Sequence, residues 1–138
     1  MTVSEFKSLE EKVAWIAGGG FAELLGTEFV SSEPDRVVVR MPYQPAFGAD
    51  RVHGGAISAL VDIAATAAFW SHPDVTAQAR GATVGFTINF LNLARNVALT
   101  AEATVRRRGG QLCTGDVSVS DDGGREVAVA RVTYKLSN

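Results

Sequence analysis

The chain has 138 residues, 46% of them hydrophobic, with a net charge of −2 and a pI near 5.6. That length gives one domain with enough apolar content for a core, which excludes disorder, and the slightly acidic balance excludes the basic surface that a nucleic-acid backbone needs. A lone Cys113 excludes an intrachain disulfide, the start TVSEFKSLEEK has acids where a secretory segment would be basic, and the longest apolar run, about fifteen residues containing Asp62, falls short of the ~20 that span a bilayer, so a soluble cytoplasmic protein is expected.

Ser4 to Ala17 reads as an amphipathic helix: Phe6, Leu9, Val13 and Ile16 recur at threes and fours, Ser4 can cap it, and Gly18-Gly19-Gly20 stops it. The triple glycine is no phosphate loop, since no Lys-Ser or Lys-Thr follows. Phe21 to Leu25 adds a short helical turn. Two strands, Glu28 to Ser32 and Arg36 to Pro42, surround the turn Glu33-Pro34-Asp35. Tyr43 to Val52, with Pro45 and Gly48, is a loop leading to the next element.

Ala56 to Trp70, AISALVDIAATAAFW, is apolar on every side except at Ser58, Asp62 and Thr66. These fall at steps of four and share one helical face, with Asp62 in its middle. A helix apolar all round is a buried helix, and a carboxylate at its centre must be paired, hydrogen-bonded or used. His53-Gly54-Gly55 precedes it and can present backbone amides at the helix N-terminus. After Ser71-His72-Pro73-Asp74 the period changes to two. Thr83 to Leu93, Val97 to Arg107, Gln111 to Ser120 and Glu126 to Leu136 are β-rich, with tight connections at Arg95-Asn96, Gly109-Gly110 and Asp121-Asp122-Gly123-Gly124. They read as an antiparallel meander. The expected class is α+β, a strongly curved sheet wrapped around one long helix, with a second copy of the chain covering what one sheet cannot.

Gly54 and Asp62 stand eight residues apart, about 12 Å along a helix, too far to touch one carbonyl group. Cooperation between them is therefore expected across a dimer. The Gly54 amide, near a positive helix end, suits the negative oxygen of a tetrahedral intermediate, and a partly desolvated Asp62 can activate water or attack directly. The plainer alternatives are a tight turn at Gly54-Gly55 and a hydrogen-bonded acid at a dimer seam. Ser58 lacks the glycine two residues later that a nucleophile elbow requires. His53, His72 and Cys113 have unrelated spacings, so no metal site is expected, and Cys113 reads as core.

His53-Gly54-Gly55, the acid nine residues after His53, the strand TVGFTINFL from Thr83, and the strand-turn-strand through Arg107-Arg108-Gly109-Gly110 resemble the hotdog-fold acyl-CoA thioesterases of the phenylacetate-pathway type. The resemblance covers roughly Phe21 to Leu136. It implies a single hotdog domain over 1–138, with residues 1–20 as N-terminal helix and glycine stop. It also implies a working dimer, often paired into a tetramer, that hydrolyses acyl- or aryl-coenzyme A without metal or redox cofactor. Gly54 then matches the oxyanion-hole glycine, Asp62 the base or nucleophile, and His53 the histidine that orients the loop or bonds near the thioester. Thr66 and Thr83 match positions that carry hydroxyls near the attacking water, or are simply backbone-bonded.

Gly55, Phe47, Arg106 and Arg108 are the candidate substrate-binding residues. Phe47 departs from the family, which often places Asn or Gln six residues before the histidine. Gln44 or Asp50 can substitute, or Phe47 can shape an acyl pocket with Phe69 and Trp70. Strand alternation puts Arg106 and Arg108 on one face. The family reading has this basic turn grip the phosphates of coenzyme A, the alternative being a solvated hairpin end. Two rivals to a hydrolase stand: a hotdog module that binds acyl-CoA as sensor or carrier, favoured by Phe47, and a structural dimer without ligand. The hydratase branch of the fold is disfavoured, because no Asp-Pro is followed closely by His.

Overall fold

The computed structural model describes residues 6–138. Helix α1 spans Leu9–Gly18 and is capped by Ser8, whose Oγ accepts from Glu11 N–H at 3.1 Å while the Glu11 carboxylate accepts from Lys7 N–H at 3.1 Å. This reciprocal pair moves the helix start past the expected Ser4, which lies outside the described residues. Phe6 precedes the helix and rests its ring on Trp15 at 5.8 Å. Helix α2, Phe21–Leu25, closes on Gly26 in the left-handed region at φ 72°.

Six strands follow among the described residues: β1 (Glu28–Glu33), β2 (Arg36–Met41), β3 (Arg80–Phe90), β4 (Leu99–Arg108), β5 (Leu112–Asp121) and β6 (Glu126–Ser137). All pairs are antiparallel, in the order β1-β2-β4-β5-β6-β3. The expected meander holds for β4-β5-β6, but β3 pairs with β6 at the sheet edge and not with β4. The connection after β3 permits this. Leu91 and Asn92 N–H both donate to Val127 O, at 2.8 and 3.3 Å, and the chain then crosses to β4 instead of turning back as a hairpin.

Helix α3, Gly54–Phe69, lies on the inner face of the sheet. Strand alternation turns Leu99, Ala101 and Ala103 of β4, Val117 and Val119 of β5, and Ala128 and Val132 of β6 toward it, where they bury Leu60, Val61, Ala64 and Ala68. Small residues let helix and sheet approach closely: a Cβ on Gly115 would meet the Phe69 ring at 3.1 Å. Fully burying a side chain such as Leu60 or Phe69 contributes roughly 1.5–3 kcal/mol. At the C-terminal end of α3 the Phe69 ring stacks on Tyr134 at 5.0 Å, and Trp70 Nε1–H donates to the Tyr134 hydroxyl at 2.8 Å.

One side of α3 is left without sheet cover. Gly55, Ala59, Asp62 and Thr66 retain solvent exposure, and the neighbouring inner face of β3 leaves Phe86 and Phe90 36% and 51% exposed. The pairing register shifts at four places among the described residues, and two of these alter the alternation near the site: β-bulges in β3 between Thr83 and Gly85 and in β4 between Val105 and Arg107. No described helix is long and apolar enough to cross a membrane.

Candidate active site

The loop before α3 is held rigidly. It makes a short 3-10 turn at Pro45–Phe47, the Tyr43 hydroxyl donates to Gly48 O, His53 N–H donates to Phe47 O at 2.7 Å, and Val52 N–H donates to Ala94 O at 2.8 Å. Gly48 is obligatory here: at φ 144° a Cβ would lie 2.0 Å from Arg51 O. These bonds deliver His53 as the N-cap of α3, whose first residue, Gly54, comes two residues earlier than the expected start at Ala56. The cap is the imidazole itself, whose Nδ1 accepts from Gly55 N–H at 2.8 Å. A neutral ring bonded in this way carries its proton on Nε2, leaving that N–H as a donor.

The first turn of α3 then distributes its amides unequally. Ala56 and Ile57 N–H both donate to His53 O, at 2.9 and 3.2 Å, and Gly55 N–H goes to the imidazole. Gly54 N–H has no hydrogen-bond partner among the described residues. It stands at the positive end of a sixteen-residue helix. Beside it lies a cavity of about 280 Å³ whose walls include Phe47, Val52, Ile57, Phe90 and Leu93. Room for a side chain at Gly54 is tight, because a Cβ would meet Phe90 Cζ at 3.2 Å and the half-exposed ring would have to give by a few tenths of an ångström. A Cβ on Gly55 would meet the His53 ring at 3.0 Å.

Asp62 sits two turns farther along α3, half-buried. Its Oδ1 accepts from Thr83 Oγ1–H at 2.7 Å, and Oδ2 has no partner among the described residues. The structure thus brings Thr83 and Asp62 together, with Thr66 one turn beyond on the same exposed stripe. Ser58 back-bonds to Gly54 O at 2.8 Å, as a helical serine does. Tyr134 below is pushed above its ordinary pKa mainly by burial, against the Trp70 hydrogen bond and with help from the negative charge of Asp62. Within one chain Gly54 and Asp62 remain about 12 Å apart along the helix.

Several expectations about the surroundings need correction. Phe47 does line the cavity beside Gly54, but Phe69 and Trp70 are core at the opposite end of α3, so the three share no pocket. Gln44 does not reach the site, since its Nε2–H donates to Leu25 O at 3.1 Å. Asp50 is turned to Arg51 and Arg95, at 3.4 and 3.9 Å. Arg106 and Arg108 do not share a face, because the bulge after Val105 adds a residue and reverses the alternation. Arg106 pairs on the outer face with Asp116 at 3.1 Å. Arg108 turns inward, to Asp35 at 2.7 Å and to Ala68 O at 3.2 Å, near the C-terminus of α3.

Phe90 is the residue that sequence reasoning missed. Strict alternation would place it opposite Thr83, but the bulge after Thr83 puts Thr83, Phe86, Ile88 and Phe90 all on the inner face. Gly85, inside an otherwise β-branched and aromatic strand, was the available signal for that bulge.

Comparison with known proteins agrees with this fold. Residues 50–128 match the sequence profile of the thioesterase superfamily. A curated relative from Deinococcus radiodurans, whose name assigns it provisionally to the esterases, is 34% identical over 125 residues, covering 86% of this chain and 74% of its own. A thioesterase family protein from Silicibacter pomeroyi has a similar structure, with a TM-score of 0.84 at 26% identity over 94% of this chain and 98% of that one. The PaaI protein of E. coli, from the phenylacetic acid degradation operon, superposes with a TM-score of 0.75 at 25% identity over 92% of each chain. The chain therefore belongs to the thioesterase superfamily, as a hotdog-fold thioester hydrolase.

Proposed function

We propose that the chain hydrolyses acyl- or aryl-coenzyme A thioesters as a homodimer whose sites each combine Gly54 of one copy with Asp62 of the other. The observation that carries this reading is the uncommitted Gly54 N–H at a helix N-terminus beside an apolar cavity. A carboxylate with one oxygen fixed and one free sits too far down the same helix to serve it. The exposed stripe of α3 and the edge strand β3 supply the surface for the second copy. A two-fold axis there would set one helix N-terminus against the middle of the other. The likeness to PaaI supports the aryl end of the substrate range.

In this mechanism the thioester carbonyl oxygen accepts from Gly54 N–H, and the amide and helix dipole stabilise the charge that develops as the carbon becomes tetrahedral. Thr83 holds Asp62 by Oδ1, which directs Oδ2 at the attacking water. Asp62 takes the water proton, the C–S bond breaks, and coenzyme A leaves as a thiolate that needs little acid assistance. Direct attack by Asp62, giving an anhydride that water then opens, uses the same two groups. The His53 Nε2–H is a second donor at the cavity rim. The chemistry draws on an amide, a carboxylate and water, with no cofactor. At the hairpin end, where Arg106 and Arg108 face opposite ways and are paired with Asp116 and Asp35, the cation left for the nucleotide phosphates is exposed Arg107, which has no ion pair among the described residues. A binding module without turnover is the second reading, favoured by Phe47, whose buried ring cannot hydrogen-bond where the resembling family often places an amide.

Thiol release from a panel of acyl-coenzyme A esters tests the proposal. Asp62→Asn should lower kcat at least 100-fold while the protein stays folded. Equal rates for wild type and variant would overturn it, and tight binding without turnover in the wild type would establish the second reading.

A further inference from the structure

Resting on the thioesterase reading, we infer that the cavity beside Gly54 selects an apolar, unhydroxylated acyl group of about six to nine carbons, and that Phe90 sets this limit. The volume of about 280 Å³ corresponds to roughly nine water-sized groups at ~30 Å³ each. That accommodates a hexanoyl, octanoyl or phenylacetyl group, whereas a long fatty chain would extend past its apolar walls. The walls are phenyl and aliphatic: Phe47, Val52, Ile57, Phe90, Leu93 and Ala94.

The polar side chains that also border the cavity are committed elsewhere. Asn92 donates through Nδ2 to Glu126 O at 2.7 Å and accepts through Oδ1 from Arg125 at 2.6 Å. Arg51 Nε is turned to Asp50 at 3.4 Å, and His53 Nδ1 caps the helix. The donors left are the Gly54 amide and His53 Nε2–H, both at the end where the thioester carbonyl would lie, and the outer N–H groups of Arg51, whose side chain is 54% exposed to solvent. A hydroxyl carried farther in on the acyl group would be buried without a partner. Phe90 bounds the cavity nearest Gly54 and is half exposed, whereas Phe47 is 6% exposed and is part of the core. In the single chain Phe90, like Leu93 at 48% exposure, lies outside the core, and of the two Phe90 is the one against Gly54, so it is the wall to trim.

The test is kcat/KM across acetyl-, butyryl-, hexanoyl-, octanoyl-, dodecanoyl-, phenylacetyl- and 4-hydroxyphenylacetyl-coenzyme A, for wild type, Phe90→Ala and Phe90→Leu. The wild type should gain about fourfold per added methylene (~0.8 kcal/mol) up to eight or nine carbons and then decline. The 4-hydroxyl should cost about tenfold (~1.4 kcal/mol) relative to phenylacetyl. Phe90→Ala should move the optimum about three carbons longer, with Phe90→Leu between, and this ordering also guards against a single poorly folded variant. A flat length profile, or an optimum that Phe90→Ala leaves unmoved, would overturn the assignment. Calorimetric binding of the corresponding alkyl thioethers of coenzyme A separates the two layers of the argument. Length-dependent affinity with no turnover of any ester upholds the cavity and overturns the hydrolase, whereas turnover with no length dependence does the reverse.

Discussion

A division of the site between two chains can be tested by subunit complementation. Gly54→Pro removes one hydrogen from the amide while keeping the backbone that a helix accepts there, because proline is favoured at the first helical position and His53, at φ −59° and ψ 137°, already has the conformation a following proline requires. Loss of one oxyanion donor lowers kcat about 10²–10³-fold in comparable sites. Asp62→Asn should be at least as severe. If each site takes Gly54 from one copy and Asp62 from the other, a mixed dimer of the two variants has one intact site and one doubly defective site. Random exchange makes half the dimers mixed, so the recovered rate is about one quarter of wild type. The assay is thiol release after unfolding and co-refolding the variants at equal concentration, with each variant refolded alone as reference. Gly54→Ala is the steric control, because it keeps the N–H and adds only the methyl that meets Phe90 at 3.2 Å. Recovery no greater than the sum of the two inactive parents would refute the shared site. Equal losses in Gly54→Ala and Gly54→Pro would refute the role of the amide.

Two other substitutions probe the supports of the site and of the sheet. Thr83→Val keeps the shape of the side chain and removes the 2.7 Å hydrogen bond to Asp62, so kcat should fall about tenfold with KM little changed, read from saturation curves; an unchanged kcat would remove Thr83 from the positioning of the carboxylate. On the outer face, burial works to raise the Asp116 pKa, but hydrogen bonds and charge from Arg131 and Arg106 outweigh it and hold the carboxyl below its ordinary range. A depressed carboxyl contributes stability above its unfolded pKa and loses it as pH falls through the folded one. Asp116→Asn should therefore cost roughly 0.5–1 kcal/mol at neutral pH, for a largely solvated pair of contacts, and the difference in urea midpoint should shrink below about pH 4. A difference that stayed constant into acid would contradict the ion-pair origin.

Much of this architecture was legible because hydrophobic period is a strong local signal. The apolar run through Asp62 could only be a covered helix, and the glycine and aspartate clusters between the later strands marked real turns. What escaped was parity. A bulge adds one residue to one strand, costs little locally, and exchanges the faces of everything beyond it. The bulge after Thr83 brings Phe90 to the same side as the hydroxyl that holds Asp62, and the bulge after Val105 divides Arg106 from Arg108. The edge position of β3 was equally hidden, because it depends on where the chain goes after Phe90 and not on the composition of the strand. The helix start was missed by two residues for a chemical reason, a histidine ring acting as a cap where serine, threonine or aspartate is usual.

The donor at the head of α3 belongs to the main chain, so every residue type except proline would carry it. Drift in the sequence cannot delete it one functional group at a time, as it can a catalytic serine or lysine. What Gly54 itself contributes is room: a Cβ there would meet the Phe90 ring at 3.2 Å, so a larger residue would ask that ring to give by a few tenths of an ångström. The walls of the neighbouring cavity are free to change in size and shape around a fixed polar point. A fold arranged in this way can acquire new substrates by repacking alone, while the group that polarises them persists as a consequence of where a helix begins.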